Sequence, residues 1–71
     1  MSGSVYKVIE LVGVSDTSWE QAAANAIEFA SKSLSDLRIA EVVEMDLQIE
    51  DGAVVTYRTK LKVSFKYRSD E

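Results

Sequence analysis

The chain has 71 residues, twelve acids against eight bases for a net charge of −4, and neither cysteine nor histidine. That composition excludes disulfides, zinc sites and chemistry by histidine or cysteine, and it leaves a bound metal only oxygen ligands, which means calcium or magnesium. The acidic balance, with a pI of about 4.7, argues against nucleic-acid and anionic-membrane partners.

The length allows one domain, residues 1–71. A chain this small buries only about 60% of the surface its unfolded form exposes. With disulfides excluded, self-association is the leading source of the missing stability. No apolar run approaches the roughly 20 residues that span a bilayer. Met1-Ser2-Gly3-Ser4 lacks the basic and apolar regions of a signal peptide. The expectation is a soluble, cytoplasmic protein.

Tyr6 to Val14, "YKVIELVGV", is short and rich in β-branched residues, so it is expected to be a strand. Alternation puts Val5, Ile9 and Leu11 on one side and Tyr6, Val8 and Val12 on the other, with Glu10 set into the second. A strand that is apolar on both faces is suited to cover on both sides. Ser15-Asp16-Thr17-Ser18 is a turn. Thr17 with Glu20, or Ser18 with Gln21, has capping-box spacing for the helix that follows. The helix is expected through "WEQAAANAIEFASKSLSDL", with Trp19, Ala23, Ala26, Ile27, Ala30, Leu34 and Leu37 as its apolar stripe. Trp19, in the first turn, is expected to be a packing anchor and not a ligand platform.

Two strands follow, Ile39 to Glu50 and Val54 to Tyr67. On the first, odd positions Ile39, Val43, Met45, Leu47 and Ile49 are apolar, interrupted by Glu41, and even positions Glu44, Asp46, Gln48 and Glu50 are polar. On the second, Val55, Tyr57, Leu61, Val63, Phe65 and Tyr67 alternate with Arg58, Lys60, Lys62 and Lys66. A two-residue Asp51-Gly52 loop would pair even positions with odd ones, so parity argues for a three-residue loop with glycine at its left-handed position. If that loop is Glu50-Asp51-Gly52, Glu44 faces Arg58. If it is Asp51-Gly52-Ala53, Asp46 faces Arg58 and Glu44 faces Lys60. Either arrangement sets acid against base and so fixes register. Glu10 and Glu41 interrupt apolar faces and are expected to join salt bridges with Lys7, Lys62 or Arg38 rather than act as catalytic acids.

The order is thus β-α-β-β, an α+β domain in which one helix covers one face of a three-stranded antiparallel sheet. The second face of the first strand stays bare in a monomer, and a large bare apolar face marks an interface. A homo-oligomer is the expectation.

The segment "VYKVIELVGVSDTSWEQAAANAI", the later "EVVEMDL", the strand "DGAVVTYRTKLKVSFKY" and the overall length resemble the dodecins across essentially the whole chain. The resemblance implies a β-α-β-β subunit whose sheet wraps the helix, assembled as a hollow homododecamer. It also implies a binding and storage protein, not an enzyme, in a family many of whose members hold flavins in stacked pairs at subunit interfaces. Flavin-binding dodecins carry a stacking tryptophan near the start of the second strand and a glutamine on the third. The matching positions here are Ile39 and Arg58. Isoleucine offers no π face, and an arginine fork prefers a carboxylate or phosphate to a flavin edge.

These substitutions, with Asp46 and "YRTKLKVSF", resemble the calcium dodecin branch of actinobacteria, which implies a calcium ion as ligand. The candidate calcium ligands are Asp46, Glu50, Glu44 and Asp51, with Glu50 and Asp51 freer than acids held by a base. Calcium takes six to eight oxygens, so one subunit needs backbone carbonyls, water or a symmetry mate to complete a site. The alternative is a flavin-binding dodecin, for FMN or riboflavin, with an altered pocket. A third reading is an interaction module whose assembly matters more than any ligand.

Overall fold

The computed structural model describes residues 4–66. β1 (Tyr6–Ser15), α1 (Trp19–Ala30), β2 (Leu37–Glu50) and β3 (Ala53–Lys66) follow in the expected order. They build one antiparallel sheet of order β1-β3-β2, so the last strand lies in the middle. β1 pairs with β3 without interruption, from Tyr6 opposite Lys66 to Ser15 opposite Tyr57. Among the described residues no helix is long and apolar enough to cross a membrane. The reading of Tyr67 as a strand residue lies outside the described residues.

Helix α1 starts where its cap dictates. Ser18, in extended backbone, accepts from the Gln21 amide at 2.9 Å, so Ser18 rather than Thr17 satisfies the orphan donor. Gln21 does not reach back; its side-chain amide donates to Asn25 Oδ1 at 2.8 Å. Asn25 in turn donates to the carbonyl of Val14 at 3.0 Å and ties the helix to the end of β1.

The helix stops at Ala30, seven residues short of the expected end. Ser31 turns its hydroxyl onto the Glu28 carbonyl at 2.8 Å, and the amides of Lys32 and Ser33 bond three residues back instead of four. Serines offer the backbone such alternatives and tighten a helix end. Asp36 then takes a left-handed φ of 61°, and Leu37 opens β2. Leu37 still packs on the core, but from the sheet.

The core lies between α1 and the centre of the sheet. Ala22, Ala26 and Ala30 form its helical side and Thr59, Leu61 and Val63 its β3 side, all buried. Ala22, wholly buried, belongs to the stripe although the sequence pattern did not single it out. Small residues bring helix and sheet together closely. A Cβ on Gly13 would collide with the Ala22 carbonyl oxygen and lie 2.9 Å from the Ala26 Cβ.

The hairpin obeys the parity constraint by a route the sequence did not suggest. Asp51 and Gly52 alone make the turn, with φ of 52° and 77°, and Glu50 pairs with Ala53. Two positive φ angles at Asp-Gly match the mirror-image turn favoured in hairpins. The extra residue that parity demands sits in β3 instead. Ile49 faces Val54 and Gln48 faces Thr56, so Val55 is a bulge. Beyond it Asp46 faces Arg58 and Glu44 faces Lys60.

A second bulge at Val43 revises the faces of β2. Glu44 faces Lys60 but Val42 faces Leu61, which puts Met45, Val42 and Ala40 on the helix side with Thr59, Leu61 and Val63. Ile39 and Glu41 therefore lie on the outer face, not on the apolar face expected from strict alternation. Glu41 and Glu10 flank Lys62 in register from the two neighbouring strands, but among the described residues of one chain neither makes the expected salt bridge.

Every residue of β2 beyond Leu37 is exposed, and the outer face of β1 shows Val8, Val12 and Val14, each at least half exposed. The accessible surface is 5364 Å², against about 4,400 Å² for a compact monomer of 7.9 kDa. The longest dimension is 56 Å. Gly13→Ala is expected to destabilise by about 3 kcal/mol, at the upper end of overpacking costs, because a backbone carbonyl must move. Denaturation midpoints at matched protomer concentration measure this, and a change within error would refute the close approach.

Candidate functional site

The outer face of the sheet carries the charged residues, because β3 places Arg58, Lys60 and Lys62 there and its neighbours supply acids opposite them. Arg58 and Asp46 make a two-point contact. Arg58 Nε donates to Oδ1 at 2.7 Å, and a terminal guanidinium nitrogen donates to Oδ2 at 3.0 Å. Lys60 Nζ stands 4.0 Å from a Glu44 carboxylate oxygen, a looser pair. These four residues and Val12 line a recess of about 100 Å³.

The electrostatics follow the contacts. The hydrogen bond from Arg58 holds the Asp46 carboxyl below its ordinary value, with the guanidinium charge adding to it and partial desolvation opposing. Asp46 holds Arg58 above its ordinary value through the same bond and charge, with a further contribution from Glu44. Both groups stay ionised near neutrality.

Asp46 is also fixed through its backbone. Its carbonyl accepts from the Trp19 indole at 3.0 Å. Trp19 packs edge-on against Tyr57, with centroids 5.3 Å apart and planes at 82°, and its own carbonyl accepts from the buried Thr59 hydroxyl at 3.0 Å. Trp19 is thus the anchor that the sequence suggested, with one addition: it ties the start of the helix to the middle of β2. No residue pattern signalled that link, since it depends on the register of β2. Trp19 also lines a larger recess of about 420 Å³ on the helix side, with Glu20, Ala23, Val42, Met45 and Thr59.

The two positions matched to the flavin site share the outer face only because of the Val43 bulge. Ile39 lies opposite Ser64, six residues along β3 from Arg58, which is about 20 Å at strand rise. Within one chain they do not converge. Ile39 is 69% exposed, at the rim of a third recess of about 140 Å³ that also includes Ile27, Leu37, Ala40 and Val63.

The four candidate calcium ligands divide into two places. Glu44 and Asp46 lie mid-strand, each opposite a base, and Glu50 and Asp51 lie at the hairpin tip. Among the described residues no three carboxylates of one chain come close enough to hold a metal ion. A calcium site on these acids therefore needs backbone carbonyls, water or a second chain to complete it.

Residues 5–68 match the model of the dodecin family. Over 65 residues the chain is 54% identical to the calcium dodecin of Mycobacterium tuberculosis, covering 92% of each. It is 39% identical over 64 residues to the dodecin of Thermus thermophilus, covering 90% of this chain and 93% of that one. Among solved structures, the dodecin of Streptomyces coelicolor superposes with a TM-score of 0.92 at 38% identity, covering 99% of this chain and all of the other. The M. tuberculosis calcium dodecin, described as calcium chelating with a novel calcium-binding site, superposes at 0.82 with 52% identity, covering 96% and 97%. Residue identity is thus higher with the M. tuberculosis protein, while the single-chain backbone follows the Streptomyces one more closely.

The Asp46–Arg58 pair predicts a pH signature. A carboxyl depressed on folding stabilises above its unfolded pKa, and that contribution is lost as pH falls through the lower folded value. The thermal stability of the parent should exceed that of Asp46→Asn at pH 7, and the gap should close only as the pH drops below the ordinary Asp value of 3.8. Paired melts from pH 7 to pH 2 test this; a gap that closes above pH 4 would contradict the depressed pKa.

Proposed function

The chain belongs to the dodecin family, and on that premise we propose that it is a non-enzymatic, cytoplasmic binding and storage protein that forms a homododecameric cage and takes calcium in preference to flavin pairs. The assembly is supported by the bare outer face of β1, where Val8, Val12 and Val14 stand exposed, and by a monomer surface too large for its mass. Contiguous exposed apolar surface of this kind is covered by protein in stable folds.

The observation that carries the ligand reading is the commitment of Arg58 to Asp46. In the flavin-binding arrangement that position offers a neutral amide to the ring edge. Here it offers an already occupied guanidinium, and Ile39 replaces the aromatic platform. The likeness to a calcium dodecin at 54% identity supports the cation. Of the candidate ligands, Glu50 and Asp51 have the strongest claim, because they stand beyond the paired bases. Glu44 comes next, and Asp46 has its oxygens engaged. Calcium requires several such oxygens, so adjacent copies of the hairpin tip would supply them together.

Two measurements test this. Light scattering of the parent should give the mass of twelve chains, and calorimetry should show calcium uptake that falls about tenfold or more in the Glu50→Gln/Asp51→Asn double variant. A monomer at micromolar concentration, or unchanged calcium binding in that variant, would refute the corresponding part. The preparation should also be colourless, whereas a yellow one releasing flavin on denaturation would favour the alternative of an FMN or riboflavin binder with an altered pocket.

The loss of flavin is testable by reversal. Ile39→Trp with Arg58→Gln restores a stacking face and an edge partner, and base–aromatic stacking is worth enough for about a tenfold gain in riboflavin affinity. Quenching of flavin fluorescence reads it. No gain over the parent would remove these two positions from the explanation.

A further inference from the structure

The contact made by Arg58 is one that ligands usually make. Its two nitrogens meet the two oxygens of one carboxylate at 2.7 and 3.0 Å, the parallel arrangement by which guanidinium recognises phosphates and carboxylates. Here the anion comes from the same chain. It is held there from behind: the Asp46 carbonyl is bonded to the Trp19 indole, Trp19 packs on Tyr57, and Thr59 bonds the Trp19 carbonyl. A carboxylate delivered by fixed backbone competes at a far higher effective concentration than a free anion. Lys60 lines the same recess beside Arg58, with Glu44 no nearer than 4.0 Å. Without Asp46, the recess would present two cations beside the apolar Val12.

We propose that Asp46 is a specificity-determining residue of this face: its carboxylate occupies the anion seat of Arg58, so that the recess rejects ligands bearing phosphate or carboxylate, the class it would otherwise take. The inference rests on the geometry of the fork and not on calcium binding. It gives Asp46 a role distinct from metal ligation. The fork persists near neutral pH, since both partners are ionised there.

The test uses the assembled parent, Asp46→Asn and Asp46→Asn/Arg58→Gln, titrated calorimetrically with inorganic phosphate at low ionic strength and then with calcium. Asp46→Asn should bind phosphate about tenfold or more tightly than the parent, the range expected for charge-assisted hydrogen bonds, and the double variant should lose the gain. No gain in an Asp46→Asn protein of parental mass and Trp19 emission overturns the proposal. A gain that survives Arg58→Gln also overturns it, because the double variant has the parent's net charge and a site other than the Arg58 fork would then be responsible. Should asparagine impair assembly, Asp46→Ser removes the same charge with a smaller side chain and is judged by the same criteria. The calcium arm separates the two readings. Calcium uptake lost in Asp46→Asn with no phosphate gain makes Asp46 a metal ligand and refutes the seat. A phosphate gain beside a parent that takes no calcium refutes the calcium reading and sustains the seat.

Discussion

One alanine-faced helix can cover one face of a three-stranded sheet and no more, and the rest of the molecule is arranged around that limit. Gly13 and Ala22 let α1 approach until backbone nearly meets backbone, and Thr59, Leu61 and Val63 are buried beneath it. Close approach gives a dense core but a narrow one. Everything beyond the width of the helix is left bare: the outer face of β1, nearly all of β2 and the distal hairpin. Among the described residues the chain has no second helix to cover them. Its remaining stabilisation has to come from other copies, so the interface and any ligand site within it are consequences of the same small core.

The charged outer face fits that setting. Central β3 carries bases and its neighbours carry acids, and Arg58 and Lys60 find opposite partners in the adjacent strand. Such pairs contribute little energy at an exposed surface; their effect is on register. Asp46–Arg58 stands apart because it is bidentate and because the Trp19 indole fixes the backbone behind it. The same pair aligns the hairpin.

Much of the domain was legible beforehand. The order of elements, the cap region of the helix, the Trp19 anchor and the acid–base facing of the hairpin all follow from local pattern. Three features did not. The helix was expected to run to Leu37, because Leu34 and Leu37 continue its spacing, yet the serines of "SKSLSD" end it at Ala30. The hairpin loop was expected to hold three residues, and the chain uses two with a bulge at Val55. Parity required one extra residue but could not say where it sits, since a loop and a bulge satisfy the same count. The bulge at Val43 was not anticipated, although Glu41 among apolar residues was its trace. A lone acid at a core-facing position marks a register shift as readily as a buried ion pair.

The sequence by itself determined which elements form, which residue types face each other and which chemistries are absent, because these depend on period, turn residues and composition, all of them local. Only the tertiary structure decided which face each residue of β2 occupies. The bulge at Val43 reverses the sides of Ile39 to Val42, a further shift at Arg38 returns Leu37 to the helix side, and the energy that selects these shifts comes from packing against β3 and α1. Hence Ile39 and Arg58, which alternation assigns to opposite faces, share one. Hence also Asp46, one acid among several in the sequence, becomes the partner of Arg58 and the anchor point of Trp19.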